Sequence, residues 1–316
     1  MKKIILLLLI ITLASSTACR KTLDTAADNG EIRTYLIAGM DDAADNTDVL
    51  VLVSYNTAAN TATVAHIPRD TLTRYGGEYV KINSIFPRAR LSGKTNDEAM
   101  KTLADYLSSA MGVRIDGYFS ADIGTFTKMV DILGGVDIEL DSELVICDEH
   151  DKPLFTLNKG VNRLDGYSAA HFVRYRKGYA TGDLGRIDAQ KIFLTALFKT
   201  VKDQVGIEET ARLLLALGPD VRTNAGLLDV FGFLVKNRNQ LDDVDLRFVT
   251  VPGEATMING KSFYVFNRKN TAEILIRDFY IASQGFDPER FFVNEDNLAV
   301  KNIYYDETAE YKFSDF

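Results

Sequence analysis

Two aspartates sit at the end of one strand-like segment and the start of the next, in Gly39-Met40-Asp41 and Thr47-Asp48. Carboxylates on one connection can share a hard cation such as Mg²⁺ or Mn²⁺, which takes oxygen ligands and keeps part of its water. The plain alternative is a solvated acidic loop, to which Asp42 and Asp45 also belong. A second group is Ile67-Pro68-Arg69-Asp70, followed by Lys81 and Asn83. A strand that reaches proline stops pairing there, so Arg69 is expected to project from the end of a sheet; the alternative is a surface turn with an Arg–Asp pair, worth little in stability. The third group is the densest. His171-Phe172-Val173-Arg174-Tyr175-Arg176 ends a short helix, and Asp183, Arg186 and Gln190 open the next. At about 100° per residue these last three share a side with Ile187, Leu194, Leu197, Phe198 and Val201. The face due for burial therefore begins with an acid, a guanidinium and an amide, which cost free energy to bury unless paired or met by a ligand. An Asp183–Arg186 pair alone would leave Arg174 and Arg176 uncompensated. Guanidinium groups fork onto phosphate oxygens, and a divalent ion on Asp41 and Asp48 would bridge oxygens and offset developing charge.

The elements that must position these groups alternate between strand and helix. Tyr35–Ala38, Val49–Tyr55 and Thr61–Ile67 read as strands, the last two joined by a hairpin turn over Asn56–Asn60. Thr95–Met111 reads as a helix with a Thr95/Glu98 capping box and Gly112 as its stop. Tyr118–Ala121 and Val136–Leu140 are further strands around a helix over Ile123–Leu133, stopped by Gly134-Gly135. Helices follow over Asp165–Val173, Asp183–Lys202, Glu208–Leu217 and Ala225–Val235, then strands over Leu246–Val251 and Phe263–Phe266 and a helix near Thr271–Tyr280. With no repeat and no Gly/Pro/Ser linker after residue 30, the pattern predicts one α/β domain over residues 31–285.

The 316 residues carry a formal charge of −8 and 46% hydrophobic side chains, which argues against a nucleic-acid binder, a disordered chain or a polytopic membrane protein. Lys2 and Lys3, the apolar run Ile4–Ile11 and the small residues before Cys19 form a secretory leader over residues 1–18. Cys19 directly after it predicts lipid attachment, the alternative being plain cleavage after Ala18. Residues 19–30 then read as a tether and 286–316 as a tail. Cys147 is the one other cysteine, and His66, His150 and His171 are scattered, so neither a disulfide framework nor a His/Cys metal site is expected.

The ordered segments YLIAGMD, TDVLVLVSYN, ATVAHIPRDT, KIN, DILGGVDIEL, NKGVNRLDGYSAAHFVRYR and GDLGRIDAQ resemble the LytR-CpsA-Psr family of cell-wall glycopolymer transferases, over about residues 34–202 and more faintly through LRFVTVPG. The resemblance implies a three-layer α-β-α sandwich with a central mixed β-sheet, as a single domain on the bacterial extracytoplasmic face. It implies transfer of a glycosyl phosphate from a polyprenyl-pyrophosphate-linked glycan, teichoic acid-like or capsule-like, to a peptidoglycan hydroxyl, the 6-hydroxyl of N-acetylmuramic acid. In those terms Asp41 and Asp48 match the Mg²⁺-associated carboxylates, Arg69 the IPRD arginine, Arg174 and Arg176 the R-x-R pair, and Asp183, Arg186 and Gln190 the D-x-G-R segment and its glutamine; with Lys81 and Asn83 they make the pyrophosphate site. The general base is left open among Asp41, Asp48 and Asp70. Two departures remove cations: Asn46 stands where the family often has arginine before the second aspartate, and Ala189 where it often has arginine before the glutamine. They motivate a second expectation, a non-catalytic polyprenyl-pyrophosphate binder, envelope scaffold or pyrophosphatase. A solute-binding lipoprotein is the third, disfavoured by the absence of Trp and of a second lobe.

Overall fold

The structure, a computed structural model, describes residues 32–41, 46–177, 179, 183–204, 207–226, 240, 243–258 and 260–279. The leader, Cys19, the tether, the tail, Asp42, Asp45 and all but the start of the expected helix Ala225–Val235 lie outside the described residues. The chain folds into two compact units, one built on Ala121–Val221 and the other on the segments before and after it.

In chain order the sheet unit begins with β1 (Ile32–Met40), β2 (Thr47–Asn56), β3 (Thr61–Ile67), the hairpin β4 (Leu72–Tyr75) and β5 (Glu78–Lys81), α1 (Ile85–Leu91), α2 (Asn96–Met111) and β6 (Gly117–Ala121). The other unit supplies α3 (Ile123–Ile132), β7 (Val136–Leu140), β8 (Leu144–Cys147), β9 (Pro153–Leu157), β10 (Gly160–Leu164), α4 (Gly166–Arg174), α5 (Asp183–Gln204) and α6 (Ile207–Leu217). The sheet unit resumes with β11 (Arg222–Thr223), β12 (Asp245–Thr250), β13 (Gly253–Ile258), β14 (Lys261–Phe266) and α7 (Arg268–Asp278).

The sheet runs β11-β6-β1-β2-β3-β12. Strands β1, β2 and β3 pair antiparallel, whereas β12 pairs parallel with β3, so the sheet is mixed. Period-two alternation gives it two apolar faces. Leu36, Ala38, Leu50, Leu52, Ala65 and Ile67 pack in one cluster with Phe86 of α1, Leu103 and Leu107 of α2, and Ile274 and Leu275 of α7. Val51, Val53 and Val64, with Ile37, Val49, Leu246 and Phe248 beside them, form the other. This is the expected α/β class: a mixed central sheet with flanking helices.

Local chemistry sets the element ends. Thr95 Oγ1 accepts from the Glu98 N–H at 3.3 Å while Glu98 Oε2 accepts from the Thr95 N–H at 2.8 Å, completing the capping box of α2. Gly112 takes φ 61° and ends that helix. In the other unit, Asp122 caps α3 by accepting from the Thr125 N–H at 2.8 Å. Strand β7 pairs antiparallel with β10, and β8 with β9. Helix α4 begins at Gly166, where a Cβ would stand 2.4 Å from the Thr127 carbonyl oxygen of α3. The expected strand Tyr35–Ala38 extends to Ile32–Met40, and the hairpins β4–β5 and β8–β9 lie where no strands were expected. Among the described residues no helix is long and apolar enough to cross a membrane.

Candidate functional site

The candidate residues fall into two groups, one on each unit. On the sheet unit they gather where β1 and β3 end and β2 begins, the kind of edge at which open α/β sheets place ligands. The β1–β2 register passes from Gly39↔Val49 to Met40↔Thr47, so Asp48 is an extra residue with no partner across the ladder. Such a bulge twists the strand and re-aims a side chain. Here it sets Asp48 in an ion pair with Arg69, through Oδ1 and Nη1. Arg69 stands in the turn after β3 that Pro68 ends: the Thr71 N–H donates to the Pro68 carbonyl at 3.0 Å, and the Asn83 N–H donates to the Arg69 carbonyl at 3.2 Å. The buried Arg69 Nε has no hydrogen-bond partner among the described residues.

The Arg–Asp pair of this turn is therefore Arg69 with Asp48, not with its neighbour Asp70. Asp70 instead meets Lys81 Nζ at 2.9 Å, and that ammonium lies 5.7 Å from the centre of the Phe263 ring. Asp41 follows β1 and closes a small ring with Asn46. Its N–H donates to the Asn46 carbonyl at 3.0 Å, its Oδ1 accepts from the Asn46 N–H at 3.2 Å, and its Oδ2 accepts from Asn46 Nδ2 at 2.8 Å. Asn46, at the position of a missing cation, thus orients the first carboxylate. The Thr47 hydroxyl donates to the Asn83 carbonyl at 3.4 Å, linking the start of β2 to the turn after β5.

The second group lies where α4 ends and α5 begins. Arg174 is the last residue of α4 and is exposed; Arg176, two residues on, is half-buried. Their segment is held from both sides. Lys177 Nζ donates to the Glu149 carbonyl at 2.8 Å and to Asp151 Oδ1 at 2.7 Å, and the Tyr175 and Tyr179 rings meet edge-on at 6.1 Å. Burial pushes the Tyr179 hydroxyl up to about 12, with Tyr175 and Asp188 adding to the rise, so it remains a neutral phenol. On α5, Arg186 and Gln190 are 5% and 7% exposed, on the face they share with Ile187, Leu197 and Val201. Gln190 Nε2 donates at 3.0 Å to the Val173 carbonyl, one of the acceptors that the end of α4 leaves open. Its buried Oε1 has no partner among the described residues. Ala189 beside it is 2% exposed, so a small methyl is packed next to the amide. Asp183 begins α5, but its side chain lies outside the described residues.

Each group can bind anionic oxygens: forked or point cations and amides are set on rigid element ends, and the first also carries Asp41 and Asp48. Comparison with known sequences sharpens this chemistry. The LytR_cpsA_psr family matches residues 13–278. This chain belongs to that family. Cell wall biosynthesis protein LcpA of Corynebacterium glutamicum is 28% identical over 249 residues, covering 71% of this chain and 46% of LcpA. The polyisoprenyl-teichoic acid–peptidoglycan teichoic acid transferase TagU of Halalkalibacterium halodurans is 27% identical over 246 residues, covering 76% of this chain and 75% of TagU. The chain thus spans about half the length of LcpA and three quarters of that of TagU. The crystal structure of protein gbs0355 from Streptococcus agalactiae superposes with a TM-score of 0.72 at 16% identity, covering 89% of this chain and 99% of that one, which places the fold with it.

The residues named from the sequence lie in these two groups, and three features beside them were not foreseen. One is Asn46 as the clamp on Asp41; an amide following a carboxylate by five residues across a tight connection was its signal. The bulge at Asp48 leaves no mark in composition. The aromatic trio Phe155, Tyr167 and His171 was legible in part, since Tyr167 and His171 stand one helical turn apart.

Proposed function

We propose that this LytR_cpsA_psr member is an extracytoplasmic transferase that moves a glycopolymer from a polyprenyl-pyrophosphate carrier to peptidoglycan. The observation that carries the reading is Arg69 paired with the bulged Asp48 at the strand ends of a family member whose relatives are named for that transfer. On the sheet unit, Arg69, Lys81 and Asn83 are its candidates for phosphate binding; on the other unit, considered by itself, the candidates are Arg174, Arg176, Asp183, Arg186 and Gln190. The acceptor hydroxyl attacks the phosphorus next to the sugar. The bond from that phosphorus to the bridging oxygen breaks, prenyl phosphate leaves with the electron pair, and the hydroxyl proton passes to a base. Asp41, Asp48 and Asp70 are the candidates for that base. Fixed guanidinium groups cost little reorganisation as charge builds on the leaving phosphate.

Mg²⁺ or Mn²⁺ fits the carboxylate pair. Asp41 and Asp48 offer hard oxygen donors of the kind these ions take, and Asn46 and Arg69 orient the two carboxylates. Bound there, the ion would supply charge neutralisation at the phosphate oxygens. A lipid on Cys19 would hold the chain in the membrane that carries the donor. That arrangement suits an acidic protein, since a donor in the same plane needs no long-range steering.

The test uses the full chain in detergent micelles with a polyprenyl pyrophosphate. Binding should require Mg²⁺, and Arg174→Ala and Arg176→Ala should each weaken it about tenfold or more, the value of a charged hydrogen bond. Equal binding by wild type and both variants would overturn the assignment. A non-catalytic binder is favoured by buried Ala189 and by Asn46, which leave fewer cations than the family often has. Release of prenyl phosphate only with a peptidoglycan acceptor supports the transferase. Release without acceptor marks a pyrophosphatase, and binding without release marks the scaffold.

A further inference from the structure

Helix α4 carries an exposed aromatic surface on the face that ends in Arg174. Tyr167 is 55% exposed although it is a large, half-apolar ring. It is not loose: its centroid lies 4.4 Å from the His171 ring and 6.2 Å from that of Phe155 on β9, and Phe155 in turn meets His171 edge-on at 6.2 Å. Residues four and seven positions along a helix share one side, so Tyr167, His171 and Arg174 form a row about 10 Å long. Along that row a neutral flat surface runs into a guanidinium. Burial, and then the charge of Arg174, lowers the basicity of His171, which keeps the imidazole neutral with one donor and one acceptor.

We propose that Tyr167, propped by His171 and Phe155, is a saccharide-stacking platform for the first sugars of the glycan donor, whose attached phosphate meets Arg174. One face of a pyranose is a flat array of C–H bonds, while its rim is polar. It therefore suits an aromatic face with a hydrogen-bonding neighbour, as an alkyl chain does not. The spacing selects the donor: a glycosyl phosphate carries a sugar ring directly beside its phosphate, and His171 and Tyr167 stand about 4.5 and 10 Å along the helix from Arg174. A ring held by two neighbours loses little freedom on binding. The platform rests on the transferase reading for the identity of its donor.

Farnesyl diphosphate and the same lipid bearing one N-acetylglucosamine separate the sugar from the pyrophosphate. With the full chain in detergent, the sugar-bearing lipid should bind about fivefold or more tightly than the bare one. Tyr167→Phe should keep that preference. Tyr167→Ala should erase it while leaving the affinity for bare lipid unchanged, because the ring is exposed and does not hold the core. A preference that survives in Tyr167→Ala overturns the platform, as does a variant that weakens use of a peptidoglycan acceptor and not of the donor. Saturation transfer from the protein to the sugar protons of N-acetylglucosamine 1-phosphate provides a readout independent of the lipid. Transfer that requires an aromatic ring at 167 supports the platform even if the chain binds no prenyl pyrophosphate and the transferase reading falls; no transfer to wild type overturns the platform by itself.

Discussion

Asn46 shows how a neutral amide can orient a carboxylate. A guanidinium there would add charge to a pyrophosphate site; the amide adds none, but it holds Asp41 through side chain and backbone together. Asn46→Ala should therefore act through Asp41. The 2.8 Å bond from Nδ2 is lost while the backbone bond remains, and the expected outcome is a rise of about three- to tenfold in the Mg²⁺ concentration that half-saturates donor binding. A titration with an unchanged midpoint would detach Asn46 from the metal. Gln190 makes a related point. It was legible as an amide on a face due for burial, and it is buried, but the contact that places it is a carbonyl at the end of another helix. Residue type and helical period predict which groups are costly to bury; which partner lowers that cost depends on tertiary packing.

At the scale of elements, Gly166 decides how Arg174 is presented. Alanine is the better helix former by about 1 kcal/mol, so propensity alone predicts that Gly166→Ala stabilises α4. The packing predicts the reverse. The added Cβ would meet the Thr127 oxygen at 2.4 Å and Asp131 Oδ2 at 2.8 Å, pushing α4 off α3. We expect a loss of about 1–3 kcal/mol, read as a lower urea midpoint, with weaker donor binding because Arg174 moves with its helix. Elements of this kind were legible where local chemistry is strong. The Thr95/Glu98 box, the stop at Gly112 and the turn before β3, where Asn56 Oδ1 accepts from the N–H groups of Ala58 and Ala59, mark their ends in the chain itself. The β4–β5 hairpin shows only faintly in the sequence although Gly76-Gly77 sits at its turn, with φ of 62° and 86°. Its strands are four residues each, too short for alternation to stand out. The bulge at Asp48 needs both strands of the pair to exist before it has meaning.

For the molecule as a whole, the pairing that no local pattern announces is β12 beside β3, with Thr61–His66 matched in parallel to Asp245–Thr250. Helix α7 locks that edge. Asp278, whose side chain is fully buried, pairs with Arg247 of β12 at 3.2 Å and with Arg277 at 2.6 Å. Asp278→Ala should cost about 2 kcal/mol, since both arginines can return to water while three charged hydrogen bonds are lost. A urea midpoint equal to wild type would show that the edge does not depend on the lock. The same C-terminal strands also support the turn that carries Arg69: the Val251 N–H donates to the His66 carbonyl at 2.9 Å, and the Tyr264 N–H to the Asp70 carbonyl at 2.9 Å. A chain made from its N-terminus delivers Arg69 early and these supports late, so the turn stays unbraced until the strand Lys261–Phe266, nearly two hundred residues further on, has been made and folded back.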